Sequence, residues 1–198
     1  MWKAQLYQEK GSLSLTTNSK RGKKAKGRGY RFEKRLEKIG NKLNLDTQFK
    51  RQILSGSVPD MKLDVVLYRD GKIIGRIEAK ERQDGAGFKR LYRWLEDCDL
   101  IKFHHYYAMY YEDYLRIKYG EGKLSGAKEC QSGFGFKMID DWFFKAKDEG
   151  SLGLVVGMLR VSPIIIIDED EYRRISIGNK RNRREVPEVQ ATAEKPSE

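Results

Sequence analysis

The stretch LDVVLYRDGKIIGRIEAK, Leu63 to Lys80, reads as two apolar strands joined by a tight turn at Asp70-Gly71, with Asp64 near its start and Glu78 and Lys80 at its end. The build of the turn sets the parity of the pairing, and parity decides which side chains share a face. With a two-residue loop Arg69 pairs with Lys72, partner numbers sum to an odd value, and Asp64 and Glu78 point apart. With a three-residue loop and Gly71 left-handed, Tyr68 pairs with Lys72, the sum is even, and Asp64 and Glu78 share a face. Lys80 accompanies Glu78 either way, because residues two apart on a strand project to the same side. The three-residue loop is expected here, since it gathers Leu63, Val65, Leu67, Ile73, Ile77 and Ala79 on the opposite face.

Two carboxylates and an ammonium at the rim of a sheet are costly to bury and add nothing to packing. A hard divalent cation accounts for them: oxygen ligands from Asp64 and Glu78 suit Mg²⁺ or Mn²⁺. Lys80 beside such an ion would orient or deprotonate a water, or stabilise charge on a phosphate. An exposed strand end with a salt bridge uses the same residue types, so this reading stays open beside the first. Asp60, after Pro59 in the preceding loop, is a rival ligand; a turn-shaping role suits it better.

Upstream, Phe32, Leu36, Ile39 and Leu43 recur at helical spacing, and the spacing predicts an amphipathic helix from Tyr30 to about Leu45. Glu33 lies at the edge of its apolar stripe. Before it, SKRGKKAKGRG (Ser19 to Gly29) packs Lys20, Arg21, Lys23, Lys24, Lys26 and Arg28 among glycines. That composition fits a solvated leader and, on a basic protein, an arm that touches phosphates. The whole chain of 198 residues carries 40 Lys and Arg against 29 Asp and Glu, a formal charge of +11, which favours a polyanionic partner. Cys98 and Cys130 form neither a disulfide framework nor a thiolate zinc motif. No stretch has the roughly 20 apolar residues of a membrane span, and a cytoplasmic location is expected.

The ordered combination GYRFEKRLEKIG, then LSGSVPDMKLD, then the hairpin ending in Glu78-Ala79-Lys80, resembles the PD-(D/E)xK nuclease superfamily. Within it, the stretch from about Gly29 to Phe103 is similar to archaeal-type Holliday junction resolvases and related bacteriophage proteins. The resemblance implies a restriction-endonuclease-like α/β fold, a mixed central sheet flanked by helices. It implies a Mg²⁺-dependent (or Mn²⁺-dependent) homodimeric endonuclease of DNA recombination and repair that cuts four-way, branched double-stranded DNA. It makes Glu33, Asp64 and Glu78 the metal ligands, Lys80 the catalytic lysine, and Ser57 a loop serine near the scissile phosphate. Alternatives are a restriction-like or repair nuclease on duplex DNA, and a non-catalytic basic nucleic-acid-binding protein in which Glu78 and Lys80 form an ion pair.

Downstream, Phe88, Leu91, Tyr92 and Leu95 make the stripe of a helix whose Lys89, Arg90 and Arg93 lie off it, as a solvated face or a grip on the phosphate backbone. DLIKF reads as a strand. From about 104 to 157 the chain departs from the compact resolvase pattern and reads as an aromatic-rich insertion. Within it His104 and His105 are structural or surface residues, and a helix carries Phe136, Ile139, Trp142 and Phe143 with Asp140 and Asp141 toward solvent. Ile164 to Ile167 reads as a buried strand followed by a short helix that the acidic run Asp168 to Glu171 caps. The expected organisation is a basic leader (1–28), a nuclease domain (29–178) and a polar tail (179–198).

Overall fold

Four consecutive isoleucines, Ile164–Ile167, have no polar face to offer water, which suits a strand covered on both sides. In the computed structural model they form the body of β8 (Ile164–Asp168), inside an eight-stranded mixed sheet. Ile165 and Ile167 enter the core on one face, Ile164 and Ile166 that on the other. The structure describes residues 24–52, 63–82, 88–120, 122–131 and 136–184, the last seven as backbone.

A helix α1 (24–42) precedes β1 (Gln48–Arg51), β2 (Val65–Arg69) and β3 (Lys72–Glu81). Then come α2 (Lys89–Leu95), β4 (Leu100–Phe103), β5 (Tyr106–Tyr110), α3 (Tyr111–Tyr119), β6 (Lys128–Glu129), α4 (Lys137–Asp148), β7 (Leu154–Gly157), β8 and α5 (Glu169–Arg184). The strand order is β1-β2-β3-β7-β8-β5-β4-β6, with β3–β7 and β4–β6 parallel and the other pairs antiparallel. Phe32 and Leu36 of α1, Tyr114 and Leu115 of α3 and Ile175 of α5 cover one face. Leu91 and Leu95 of α2 with Ile139 and Phe143 of α4 cover the other.

The fold is α/β with a mixed sheet between helices, as expected. The residues read as an insertion supply β5 and β7, strands inside that sheet, and their aromatic rings are mostly core: Tyr106, Tyr111 and Tyr114 are fully buried. Five other expectations are corrected. The hairpin turn has two residues: Arg69 pairs with Lys72 across Asp70 (φ 50°) and Gly71 (φ 74°). Left-handed backbone at both positions matches the twist of the flanking strands, and Asp-Gly tolerates it. Ile73, expected inside, is half exposed. The helix α1 is already formed at the first described residue, 24, so the glycine-rich basic segment from 24 to 29 is helical, and it ends at 42. The last helix is long, running to Arg184 through the basic start of the expected tail. Asp140 is also not turned wholly to solvent, since Tyr106 Oη donates to its Oδ1 at 2.8 Å.

His104 and His105 occupy the exposed turn between β4 and β5, and Asp168 caps α5 by accepting from the Glu171 N–H at 2.9 Å, both as read from the sequence.

Candidate functional site

The pairing of β2 with β3 begins in odd register, Arg69 with Lys72 and Tyr68 with Ile73, then shifts at a bulge. Beyond it Leu67 faces Gly75, Val66 faces Arg76 and Val65 faces Ile77, with numbers that sum to an even value. One extra residue on β3, Ile74, thus restores the parity that the two-residue turn removed. Continued by one step, this register sets position 64 opposite Glu78.

Asp64 lies just outside β2, after Leu63 with φ 76°. Three hydrogen bonds fix it. Its N–H donates to Ile77 O (3.1 Å), its carbonyl accepts from Gln52 N–H (2.9 Å), and its Oδ2 accepts from Ala79 N–H (2.8 Å). The neighbouring N–H, that of Glu78, points the other way along the sheet and donates to Ser151 Oγ at 3.1 Å. Ser151 is buried and also bonds Gly153, so it pins β3 to the start of β7.

Ile77 and Ala79 pack in the cluster under α1. By alternation Glu78 and Lys80 project from the opposite face, the one covered by α2 and α4. Lys80 Nζ and Glu78 Oε1 form an ion pair, with the Glu78 side chain mostly buried. Burial, first, and the charge of Asp64, second, push the Glu78 carboxyl above its ordinary value; Lys80 opposes them and Glu149 adds to them. The raised value means that the site holds more negative charge than it comfortably solvates.

Glu33 reaches the same place from the α1 layer. Phe32, its neighbour, lies directly over Gly157 at the end of β7, where an added Cβ would fall 2.3 Å from the ring. Glu33 Oε2 is 3.3 Å from Arg51 Nη1 on β1. Burial and then Asp64 raise its carboxyl pKa, while Arg51 and Lys80 lower it. Asp64 and Lys80 therefore bear on both glutamates, although Glu33 belongs to the layer of α1 and Glu78 and Lys80 project from the other face of the sheet. Glu81 stands beside them: burial raises its pKa against Arg35, Arg31 and Arg28 of α1.

An all-oxygen set of two half-buried glutamates and an aspartate has the chemistry a hard divalent cation requires. In the arrangement present, Glu33 is turned to Arg51, Glu78 to Lys80 and Asp64 to the Ala79 N–H. Among the described residues no three Asp, Glu, His or Cys side chains are gathered closely enough to hold an ion as they stand.

Of the expected nucleic-acid contacts, Lys24 and Lys26 are exposed and Arg28 half-buried on the first turns of α1. Lys89, Arg90 and Arg93 are exposed on α2, off its buried stripe of Leu91, Tyr92 and Leu95. Lys23, Ser57 and the rival Asp60 lie outside the described residues. Sequence reading missed Arg51, Ser151 and Glu81. The strand that carries Arg51, QFKR, has one apolar residue in four and no legible alternation; Ser151 and Glu81 had no motif to mark them. Among the described residues, no helix is long and apolar enough to cross a membrane. Compared with protein-family models, curated proteins and solved structures, the chain has no match.

Proposed function

We propose that this protein is a Mg²⁺- or Mn²⁺-dependent endonuclease of the PD-(D/E)xK type that cuts branched DNA, four-way junctions above all, as a cytoplasmic homodimer. What supports the reading is that the Asp64 carboxylate accepts from the Ala79 N–H, between Glu78 and Lys80, at 2.8 Å, and that its charge bears on Glu33 as well as on Glu78. A divalent ion bound there would polarise a phosphate and acidify a water. Glu33, Asp64 and Glu78 would hold it, the two glutamates exchanging their cationic partners for it. Lys80, released from Glu78, would neutralise charge on the phosphate or take a proton from the attacking water. The net charge of +11 supports a DNA partner, with the exposed lysines and arginines of α1 and α2 as its backbone contacts. Two-fold symmetry would supply the paired cuts that a junction needs.

A second reading has an observation of its own. Glu33 with Arg51 and Glu78 with Lys80 are already neutralised pairs, which suits a basic nucleic-acid-binding protein without catalysis. The deciding experiment compares a four-way junction with a linear duplex of the same sequence, in Mg²⁺ and in EDTA, with the wild type and Lys80→Ala. Mg²⁺-dependent product from the junction, lost in the variant, supports the nuclease; preferential duplex cleavage points to a restriction-like or repair enzyme. Binding with no product on any substrate leaves the second reading.

A further inference from the structure

Tyr30 is 46% exposed, one of five large apolar side chains left to solvent among the described residues. It stands one helical turn before Glu33 on α1, and side chains three apart on a helix are neighbours, with Cβ atoms about 5–6 Å apart. Arg51 joins the two: its Nη1 is 3.3 Å from Glu33 Oε2 and its guanidinium carbon 4.5 Å from the centre of the Tyr30 ring. Lys34 Nζ lies 6.0 Å from the same ring centre. The ring is thus oriented before any ligand arrives, so little rotamer freedom is left to lose on stacking. A half-exposed ring with cations over it is a surface that nucleic acid answers with a base and its phosphates.

We propose that Tyr30, steadied by Arg51, is a stacking platform for one unpaired nucleobase beside the phosphate that is cut. The proposal rests on the nuclease reading and narrows its substrate to DNA with an unstacked nucleotide, as at a branch. In continuous duplex both faces of each base are covered by its neighbours, and Tyr30 finds a free face only after unstacking. On the nuclease reading, the one helical turn between Tyr30 and Glu33 would keep the stacked base close to the scissile phosphate.

The test places 2-aminopurine at positions flanking the branch of a four-way junction, and at the matching positions of a linear duplex. Fluorescence is read in EDTA so that the DNA stays whole. The wild type changes the signal at a junction position and not in the duplex; Tyr30→Phe keeps the change; Tyr30→Ala loses it and binds the junction about tenfold more weakly, a mid-range effect for one base–aromatic stack. Unchanged thermal midpoints show that both variants fold. A wild-type signal in Tyr30→Ala overturns the platform, as does Tyr30→Phe behaving like Tyr30→Ala, or an equal change in the duplex. Cleavage in Mg²⁺ separates the two ideas. Product from the wild type without a Tyr30-dependent signal removes the platform alone, whereas the signal without product on any DNA removes the nuclease alone.

Discussion

The carboxylate of Asp64 accepts a hydrogen bond from the Ala79 N–H at 2.8 Å, so the residue that crowds both glutamates also ends the pairing of β2 with β3. Its charge and its acceptor can be separated. Asp64→Asn keeps an oxygen for Ala79 and should fold with a thermal midpoint near the wild type while losing Mg²⁺-dependent cleavage. Asp64→Ala also strands a partly buried N–H and should lose about 1–3 kcal/mol in denaturant unfolding. Cleavage retained in Asp64→Asn would remove Asp64 from the site.

Lys80 and Glu78 neutralise each other in the strand. Lys80→Ala or Glu78→Gln is expected to abolish cleavage, with junction affinity by gel shift changed less than about threefold, since in the proposed reading phosphate contacts spread over α1 and α2 would supply most of the binding. A parallel fall in binding and cleavage would mark these residues as structural.

Glu33 and Glu78 both titrate above the ordinary glutamate value of 4.5. Carboxyls raised in the folded state stabilise it at pH below 4.5, and that contribution is lost as pH rises through their folded values. In EDTA, wild type minus Glu33→Gln/Glu78→Gln should therefore decline in stability as pH rises from 4.5 toward neutrality. Mg²⁺ should restore the difference only at the upper end, where both groups are ionised. Calorimetric melting across pH checks both signs; a flat difference would show that neither group is perturbed.

Gly157 leaves room for Phe32, which sets the position of Glu33. Gly157→Ala puts a Cβ 2.3 Å from that ring. The expected cost is about 1–3 kcal/mol of stability, with a loss of cleavage larger than the lowered folded fraction explains, because α1 must shift. Cleavage that simply tracks the folded fraction would show that α1's position does not matter.

Away from the site, Glu171 is buried on α5, where it accepts from Tyr114 Oη at 2.7 Å and pairs with Lys118 of α3. Burial lowers the Lys118 pKa even beside that carboxylate. Lys118→Met should cost about 3 kcal/mol, the low end for a broken buried pair because Arg174 Nη1 stays 3.7 Å from Glu171 Oε2, and Lys118→Met/Glu171→Leu should regain most of it. Chemical denaturation of the two single variants and the double variant measures the coupling; additive losses would argue against a tight pair.

Local periodicity carried much of this protein. The helical spacing of Phe32, Leu36 and Ile39, the apolar runs of β2, β3 and β8, and the common side of Glu78 and Lys80 depend on neighbours a few residues away, and one-dimensional pattern records them. That Glu33 would join Asp64 and Glu78 was implied only by the family resemblance, since helix geometry alone suits a surface glutamate equally well. What tertiary structure alone decided involves partners far apart in the chain. Arg51 meets Glu33 across 18 residues, Ser151 meets Glu78 across 73 and Glu171 meets Lys118 across 53. The Ile74 bulge belongs here too: the Asp-Gly turn selects its own best twist, and the sheet, needing Val65, Leu67 and Ile77 on one buried face, takes up the odd residue within β3. No local propensity encodes that compromise, because its energy comes from the core on which the strands close.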